Sequence, residues 1–483
     1  MKYKQSIQMF ISALLLFATL ITHSQIMFQR NYGGDNIDQG TCVVQTDDGG
    51  YLVAGLTKSF GVYWQDIYLI KTDAWGDTLW SKRIGKSEYG ELPYSMIKTN
   101  DNNLAIVGTT SKIISGSYVH EVLLLKFNEY GDTLWYRNYG IYSENSGYDV
   151  KQTNDNGFII TGYTYNNAIA TSYVLLIKTD ENGNEQWMKT YALRQSNGGN
   201  SVIQTNDGGY FIVGYSSLGA LELTDCLLIK TNAIGDTLWT KFFGGNDHDA
   251  CACTYEDFTG NLHIGGFTRS FGGGEQDAFL SKLNASGEEI WMKTYGGIND
   301  DNGVMFIPTN NNSFVIVGAT KSFGLGERDV YLIKTDIDGN ELWYRTFGGT
   351  NDDMARFIQQ TNDGGFIIAG STKSFGAVNY DVYLIKADAN GIAGFEKIIQ
   401  TENQCFIYPN PCTDILNIQI HSFYDNDVRF NLFNINGQLA KSEILQNNGT
   451  GIFSINVSHL PKGVYILNIQ SKTKQFNTKV IIH

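Results

Sequence analysis

The sequence predicts an all-β fold, and two observations lead to this prediction. Aromatic residues make up 13% of the 483 residues, and the chain contains 53 glycines but only 5 prolines. This composition favours many short strands joined by glycine turns. Segments such as DVYLIKTD at 329–336 and ELWYRTFGG at 341–349 also recur along the chain. A fixed period of about fifty residues is typical of solenoids, arrays and propellers.

A tryptophan recurs with the repeat along most of the sequence. The steps between successive tryptophans are 55, 52, 52, 52 and 52 residues, and one more step of 52 in either direction reaches Phe28 and Phe395. Seven repeat units therefore lie between those two phenylalanines. We expect each ring to pack at the seam between neighbouring units, because a ligand would not need one ring in every unit. The six residues are Trp80, Trp135, Trp187, Trp239, Trp291 and Trp343.

The sequence of each unit predicts four strands, and four strands make one blade of a propeller. Residues 355–395 contain ARFIQQT, FIIAGSTKS and DVYLIKAD, and the fourth strand is clearest in ELWYRTFGG. The NDGG and DxxG segments tolerate positive φ, as tight hairpins require. The third strand is apolar on nearly every residue, which predicts burial of both faces between radially packed blades. Residues 26–395 are therefore predicted to form a seven-bladed β-propeller.

The two ends of the repeat predict how the ring closes. IMFQRNYGG at 26–34 is similar to the tryptophan strand with its double glycine, whereas GFEKIIQ at 394–400 has neither feature. We expect the N-terminal strand to complete the last blade, because this pairing removes an exposed strand edge.

The units resemble the bacterial seven-bladed β-propeller repeat called SBBP, as in GGTNDDMARFIQQTNDGGFIIAGSTKSF. The resemblance covers residues 26–395 and implies an outer-surface or secreted protein, with no catalytic residues to transfer. Blades two to four lack KSFG, and the tryptophan strand that precedes each of them does not end directly in Gly-Gly. Their loops at 111–120 and 164–173 are therefore the predicted place for a function particular to this protein.

Acidic loops at the start of blades one, five, six and seven form a candidate metal site. Their carboxylates and glycine carbonyls could ligate calcium. The same blades carry a cation on the following loop, at Lys58, Arg269, Lys321 and Lys373, which favours a structural role in ion pairs and turn caps. The candidate ligands are Asp35, Asp38, Asp247, Asp249, Asp300, Asp301, Asp352 and Asp353.

The sequence predicts no catalytic residue and no cofactor-binding residue. Its seven histidines show no metal-binding spacing, and GxSxG, P-loop and Rossmann fingerprints are absent. The formal charge of -14 disfavours nucleic acid or an anionic membrane surface as a partner.

The N-terminus predicts a signal peptide over residues 1–24. Lys2 and Lys4 precede an apolar run from Met9 to Ile21, which small and polar residues follow. This run is short for a membrane span, and no later segment offers about 18 consecutive apolar residues. We therefore expect an exported chain without a transmembrane segment.

A second domain is predicted after the repeat, with a linker over 396–406 and the domain over 407–483. Leu416, Ile418 and Ile420 alternate with polar residues, as in a half-buried strand, and further short strands follow. This pattern predicts a small immunoglobulin-like β-sandwich.

The second domain contains YPNP at 408–411, FNINGQLA at 433–440 and LPKGVYIL at 460–467. With these motifs it resembles the type A sorting domain of the type IX secretion system. The resemblance implies export to the periplasm, recognition of the folded domain by the outer-membrane translocon, and removal of the domain, with the cargo attached to the surface or released. An adhesive sandwich that stays on the mature protein is the alternative. The motif residues are Tyr408, Pro409, Asn410, Pro411, Gly437, Gly463 and Tyr465.

Three functions fit these patterns. The favoured one is a non-enzymatic binding or adhesion module that binds a glycan or protein through loops at one face. The second is a secreted hydrolase or lyase acting on polysaccharide, which carboxylates with one raised pKa in a central pocket would support. The third is a structural spacer of the surface layer.

Overall fold

The computed structural model describes two compact units, of which the first ends at Gly394 and the second begins at Phe395. The secondary structure is β throughout the described ranges, which confirms the all-β prediction. No helix among these residues has the length and apolar character of a membrane span. The described residues are 26–60, 64–85, 90–114, 116–218, 223–376, 379–394, 405–408, 412, 414–420, 427–434, 437–446, 452–470 and 475–482.

The described strands of the first unit are, in chain order, β1 (Phe28–Tyr32), β2 (Asp38–Gln45), β3 (Tyr51–Thr57), β4 (Asp66–Thr72), β5 (Thr78–Ile84), β6 (Gly90–Lys98), β7 (Leu104–Ile114), β8 (Ser117–Phe127), β9 (Thr133–Tyr139), β10 (Glu144–Gln152), β11 (Phe158–Asn166), β12 (Thr171–Thr179), β13 (Glu185–Tyr191), β14 (Ser196–Gln204), β15 (Tyr210–Ser217), β16 (Thr224–Thr231), β17 (Thr237–Phe243), β18 (Asp249–Glu256), β19 (Leu262–Thr268), β20 (Asp277–Leu283), β21 (Glu289–Tyr295), β22 (Asp301–Thr309), β23 (Ser313–Thr320), β24 (Asp329–Asp336), β25 (Glu341–Phe347), β26 (Asp353–Gln360), β27 (Phe366–Thr372) and β28 (Asp381–Ala387).

These described strands form seven groups of four antiparallel strands, which we call blades one to seven. Blade one is β2–β5, each later blade takes the next four strands, and blade seven is β26–β28 with β1. Blades two and three join into one eight-stranded sheet, because β8 and β10 pair at His120 and Glu144. The first strand of each blade lies against the blade before it, and β2 packs on β26 and β27. The blades therefore form a closed ring, a β-propeller with the first strands innermost.

The N-terminal strand closes the ring, as the sequence predicted. Strand β1 pairs antiparallel with β28, so that Phe28 lies opposite Lys386 and Tyr32 opposite Val382. The Phe28 side chain is buried in a core that blades seven and one share. Phe395, the other predicted end of the repeat, lies outside the described residues.

The third strand of each blade is buried, but it is not purely apolar. It carries a lysine near its end, and in six blades the ammonium group pairs with the Asp of the NDGG-type turn in the same blade. Sequence reasoning missed this repeated pair because the lysine and the aspartate lie more than twenty residues apart. The pairs are Lys71–Asp48 at 2.7 Å, Lys126–Asp101 at 2.7 Å, Lys178–Asp155 at 2.8 Å, Lys230–Asp207 at 2.7 Å, Lys282–Asp257 at 3.1 Å and Lys386–Asp363 at 3.0 Å.

The second unit contains two antiparallel sheets that share one apolar core. Its strands are β29 (Cys405–Tyr408), β30 (Ile415–Ile420), β31 (Asp427–Asn434), β32 (Leu439–Gln446), β33 (Ile452–Asn456), β34 (Gly463–Gln470) and β35 (Gln475–Ile482). The first sheet has the order β29-β30-β33, and the second has the order β32-β31-β34-β35. Leu416, Ile418, Phe430, Phe453 and Leu467 are among the buried core residues. The immunoglobulin-like topology stays a prediction.

Candidate ligand-binding site

The innermost strand of every blade contains a β-bulge. In blade one the register with the second strand shifts between Gly40 and Cys42, and the other six blades shift at the equivalent position. A bulge leaves one residue unpaired and redirects its side chain. Because the first strands surround the axis, the bulges place one side chain per blade around the centre of the ring. The bulged residues are Thr41, Tyr94, Tyr148, Asn200, Ala252, Val304 and Arg356.

Five of the seven bulged residues line a central cavity of about 730 Å³. The cavity lies toward the end of the ring where the inner strands begin, which is also the end that carries the acidic loops. Gln39, Gln65 and Tyr215 add hydrogen-bonding groups to its wall. The described residues that line this cavity include no carboxylate. We call this cavity the central site.

Tyrosines from blades two to four form one side of the central site. The rings of Tyr94 and Tyr148 meet edge to face, with centroids 5.0 Å apart, and Tyr163 lies 5.7 Å beyond Tyr148. Burial raises the pKa of Tyr94, Tyr148 and Tyr215, so their hydroxyls stay protonated at neutral pH. Protonated phenols combine an apolar ring with a hydrogen-bonding tip, which suits a ligand that is partly apolar and partly polar.

Arg356 provides the single guanidinium among the described residues of the central site. It makes no hydrogen bond or ion pair with any residue that the structure describes, whereas nearby Arg328 forms a two-point pair with Asp352 at 2.8 and 3.2 Å. Arg356 is exposed to solvent within the cavity, and desolvation by the surrounding protein still lowers its pKa. An arginine stays protonated at physiological pH even so. The central site therefore holds a charged group without a protein counter-ion.

A side cavity of about 330 Å³ adjoins the central site and shares Gln65, Leu92 and Tyr94 with it. The loop at 111–120, which the sequence singled out, lines this cavity through Tyr118 and His120. The other singled-out loop, at 164–173, contributes no residue to either cavity among the described residues. Only one of the two loops thus lies at the candidate site.

The side cavity also contains a serine and a histidine in contact. Ser111 Oγ lies 2.7 Å from His120 Nδ1, across the hairpin of β7 and β8. Glu144 lines the same cavity and pairs with His120 through the backbone. A hydroxyl beside an imidazole is the first requirement of nucleophilic catalysis.

Four of the eight candidate calcium ligands are buried caps of the double-glycine loops. Asp38 accepts hydrogen bonds from Gly34 N and Ser59 Oγ, both at 2.7 Å, and the other three accept the equivalent bond from a loop glycine. The serine belongs to the KSFG motif, so this motif and the acidic loop form one structural unit. The equivalent caps are Asp249 on Gly245 at 2.9 Å, Asp301 on Gly297 at 2.6 Å and Asp353 on Gly349 at 2.8 Å.

The other four candidates differ from one another. Asp300 pairs with Lys321 at 2.7 Å, and Asp352 pairs with Arg328 and with Lys373. Asp35 and Asp247 are exposed. Within the described part of the chain, no group of three or more His, Cys, Asp and Glu side chains is arranged to hold a metal ion.

Each tryptophan of the repeat lies against the neighbouring blade. A Cβ added to Gly131 of blade two would come within 2.9 Å of the Trp80 ring from blade one. The same relation recurs around the ring, and Phe28 takes the tryptophan's place against Gly76 at 2.7 Å. The remaining contacts are Trp135 with Gly183, Trp187 with Gly235, Trp239 with Gly287, Trp291 with Gly339 and Trp343 with Gly391.

The sorting-motif residues that the structure describes occupy turns and strands of the second unit. Gly437 adopts a φ of 75° in the turn before β32, and Tyr465 is buried with its hydroxyl donating to Pro461 O at 2.7 Å. Gly463 begins β34, and Tyr408 ends β29. Pro409, Asn410 and Pro411 lie outside the described residues.

Comparison with solved structures finds matches at low identity. Sqt1 from Chaetomium thermophilum is 8% identical with a TM-score of 0.46, covering 76% of this chain and 99% of its own. A puromycin hydrolase is 11% identical with a TM-score of 0.47, covering 79% and 58%. The β-propeller domain of the Trilobed protease from Pyrococcus furiosus is 10% identical with a TM-score of 0.36, covering 74% and 95%.

Comparison with curated proteins finds no match. Residues 406–483 match the family described as the secretion system C-terminal sorting domain. This match covers the second unit, where the sequence motif and the two-sheet core lie. The second unit is therefore a sorting domain of the type IX secretion system, and the chain is a β-propeller protein that this system secretes or places on the outer cell surface.

Proposed function

We propose that this protein is a non-enzymatic binding module that holds a glycan or protein ligand in its central site. The observation that carries the proposal is the ring of bulged residues, in which the repeat keeps the backbone constant and varies the side chain. Threonine, tyrosine, asparagine and arginine at these positions offer aromatic surface and hydrogen bonds on a rigid frame. A concave site with a few convergent polar groups is the usual form of a ligand pocket.

Glycan-array binding with the secreted propeller tests the proposal. We expect wild-type protein to bind a subset of glycans, and Tyr148→Ala to weaken that binding because its ring forms the wall of the central site. Tyr130→Ala is the matched control, since Tyr130 is 63% exposed on a turn outside the cavity. Equal binding by wild-type protein and Tyr148→Ala would place the ligand elsewhere.

A hydrolase acting on polysaccharide is the second candidate, and the Ser111–His120 contact in the side cavity favours it. An activity screen on every glycan that binds distinguishes the two candidates. Turnover that Ser111→Ala abolishes would establish the enzyme, whereas binding without turnover supports the module. A surface-layer spacer is the third candidate, and it predicts neither binding nor turnover.

We propose a structural role for the acidic loops rather than calcium binding. The support is that the four inner aspartates already accept hydrogen bonds from loop glycines. Calorimetric titration with calcium is expected to give no binding heat and no rise in Tm. Saturable heat that Asp301→Asn removes would establish the metal site instead.

We also propose that export begins with a signal peptide over residues 1–24, which lie outside the described residues. The charged start and the short apolar run support this step. N-terminal sequencing of the secreted protein is expected to begin near Gln25.

A further inference from the structure

We propose that the central site takes an acidic oligosaccharide, whose carboxylate or sulfate group pairs with Arg356. This inference rests on the binding function proposed above and names the chemistry of the ligand. Arg356 lies on a β-bulge, and its guanidinium belongs to the wall of the central site. The described residues of that wall include no acidic side chain.

Arg356 differs from the neighbouring cations because it has no carboxylate partner among the described residues. The chain carries 49 acidic residues against 35 lysines and arginines, so carboxylates are abundant as partners for cations. Neighbouring Arg328 uses Asp352 as its partner, and Lys373 also lies 3.8 Å from that carboxylate. The titratable groups near Arg356 are Tyr94, Tyr380 and Arg328. These are two phenols and a guanidinium, so an incoming anion meets no competing carboxylate from them.

The guanidinium and the tyrosines match different parts of one ligand. A planar guanidinium binds a carboxylate or sulfate through two parallel hydrogen bonds. The tyrosines of blades two to four provide flat apolar surface with hydroxyl groups, which fits the faces of sugar rings. Gln39, Gln65 and Asn200 line the same cavity and can hydrogen-bond ring hydroxyls. A charged group and sugar rings are found together in uronic-acid and sulfated oligosaccharides.

The cavity also has the size and shape for more than one sugar unit. Its volume is about 730 Å³, and the side cavity of about 330 Å³ adjoins it through Gln65, Leu92 and Tyr94. Trp64 and Tyr118 lie in that side cavity, with ring centroids 6.1 Å apart. An oligosaccharide whose acidic unit lies at Arg356 can extend along the tyrosines toward this second aromatic pair.

Titration calorimetry with purified mature protein tests the inference. The probes are a galacturonic acid oligomer, a sulfated galactose oligomer, a neutral galactose oligomer of equal length, and a peptide with a free carboxyl terminus. We expect one acidic oligomer to bind at least about tenfold more tightly than the neutral one, and which of the two binds identifies carboxylate or sulfate. Arg356→Gln is expected to weaken that binding roughly 10- to 100-fold. Added salt should weaken it too.

Arg269→Gln is the matched control, because it removes the same charge from an exposed loop at the same end of the ring. Arg356→Lys keeps the positive charge but loses the two parallel N–H donors of the guanidinium, so we expect an affinity between those of the wild type and Arg356→Gln. An unchanged Tm in each variant shows that the fold is intact. Equal binding of acidic and neutral oligomers, or an Arg356→Gln variant with wild-type affinity, would refute the inference but leave the binding function. Binding of the peptide alone would assign a peptide ligand, and the absence of all binding would refute both proposals.

Discussion

Single residues in this propeller show how a repeat uses buried charge. In six blades a lysine near the end of the third strand reaches the aspartate of the first turn, and the same aspartate also caps that turn. Burial raises the pKa of Asp48, but hydrogen bonds from Lys71 and Thr46 and from Gly50 N outweigh it and lower the pKa to about 2. Because the folded pKa of Asp48 is lower than its pKa in the unfolded chain, its ionised carboxylate stabilises the fold at any pH above the ordinary aspartate pKa. This contribution is lost as the pH falls toward 2.

Blade six lacks this pair, which allows a direct test. Its turn reads NNNS at 310–313, and Lys334 Nζ instead lies 3.4 Å from Ala389 O. We expect Asn311→Asp to restore the pair and raise the free energy of unfolding by about 0.5–1 kcal/mol at pH 7. Denaturant unfolding measures the change. Asn312→Asp, one residue along at the turn tip, is the control and should give no gain.

His263 predicts a pH dependence of stability. It is fully buried in blade five, Nε2 lies 3.3 Å from Asp257 Oδ2, and burial lowers its pKa. Below pH ~6.5 the unfolded chain takes up a proton that folded His263 does not, so stability should fall by at most about 1.4 kcal/mol per pH unit. Stability above the ordinary histidine pKa should be unaffected by this residue.

His263→Phe should remove that pH dependence, because phenylalanine does not titrate. The ring should fit, because Phe211 occupies the equivalent position of blade four, where its centroid lies 5.8 Å from that of Trp239. Unfolding free energies of both proteins at pH 8 and pH 5.5 provide the measurement. A wild-type slope that persists in the variant would assign the acid sensitivity to other groups.

At the scale of elements, each contact between neighbouring blades includes one aromatic side chain that packs on one glycine. The tryptophan of an outer strand lies over the glycine of the next blade's second hairpin, and that glycine has positive φ, as in Gly235 at 80°. Tyrosines add hydrogen bonds to the same turns, for example from Tyr191 to Gly235 O at 2.7 Å. The glycine is needed both for the turn and for the close approach of the ring.

The closing strand makes this seam testable at one residue. Phe28 is 4% exposed and lies over Gly76, so Phe28→Ala should lower the free energy of unfolding by about 3–5 kcal/mol. Thermal and denaturant unfolding measure the loss. Phe258→Ala is the control, because Phe258 is 94% exposed. If both variants unfolded like the wild type, β1 would not contribute to closure.

At the scale of the whole molecule, the two units divide the tasks of the protein. The propeller carries the candidate binding site, and the second unit carries the address for secretion. Each unit has its own core among the described residues. We therefore expect the sorting domain to act independently of the propeller.

An independent sorting domain predicts the outcome of deleting the second unit and of fusing it to another protein. Deleting residues 405–483 should retain the propeller inside the cell envelope, because the secretion machinery then has no sorting domain to recognise. Fusing residues 406–483 to an exported fluorescent protein should bring that protein to the surface or the medium. Immunoblotting of culture supernatants measures both effects. Normal secretion of the truncated chain would contradict this assignment.

The sequence alone determined the repeat, its strands, the closing strand and the sorting domain. These features are local patterns or fixed periods, so spacing, turn residues and motifs reveal them. The acidic loops and the lysine of the third strand were visible as residues, but their partners were not, because each partner lies some twenty residues away and meets them only when the blade folds. Only the tertiary structure decided the central site. A β-bulge depends on the register between two strands, and register is not visible in one strand's sequence. The bulge makes Arg356, an ordinary position in the sequence, the cation of the central site.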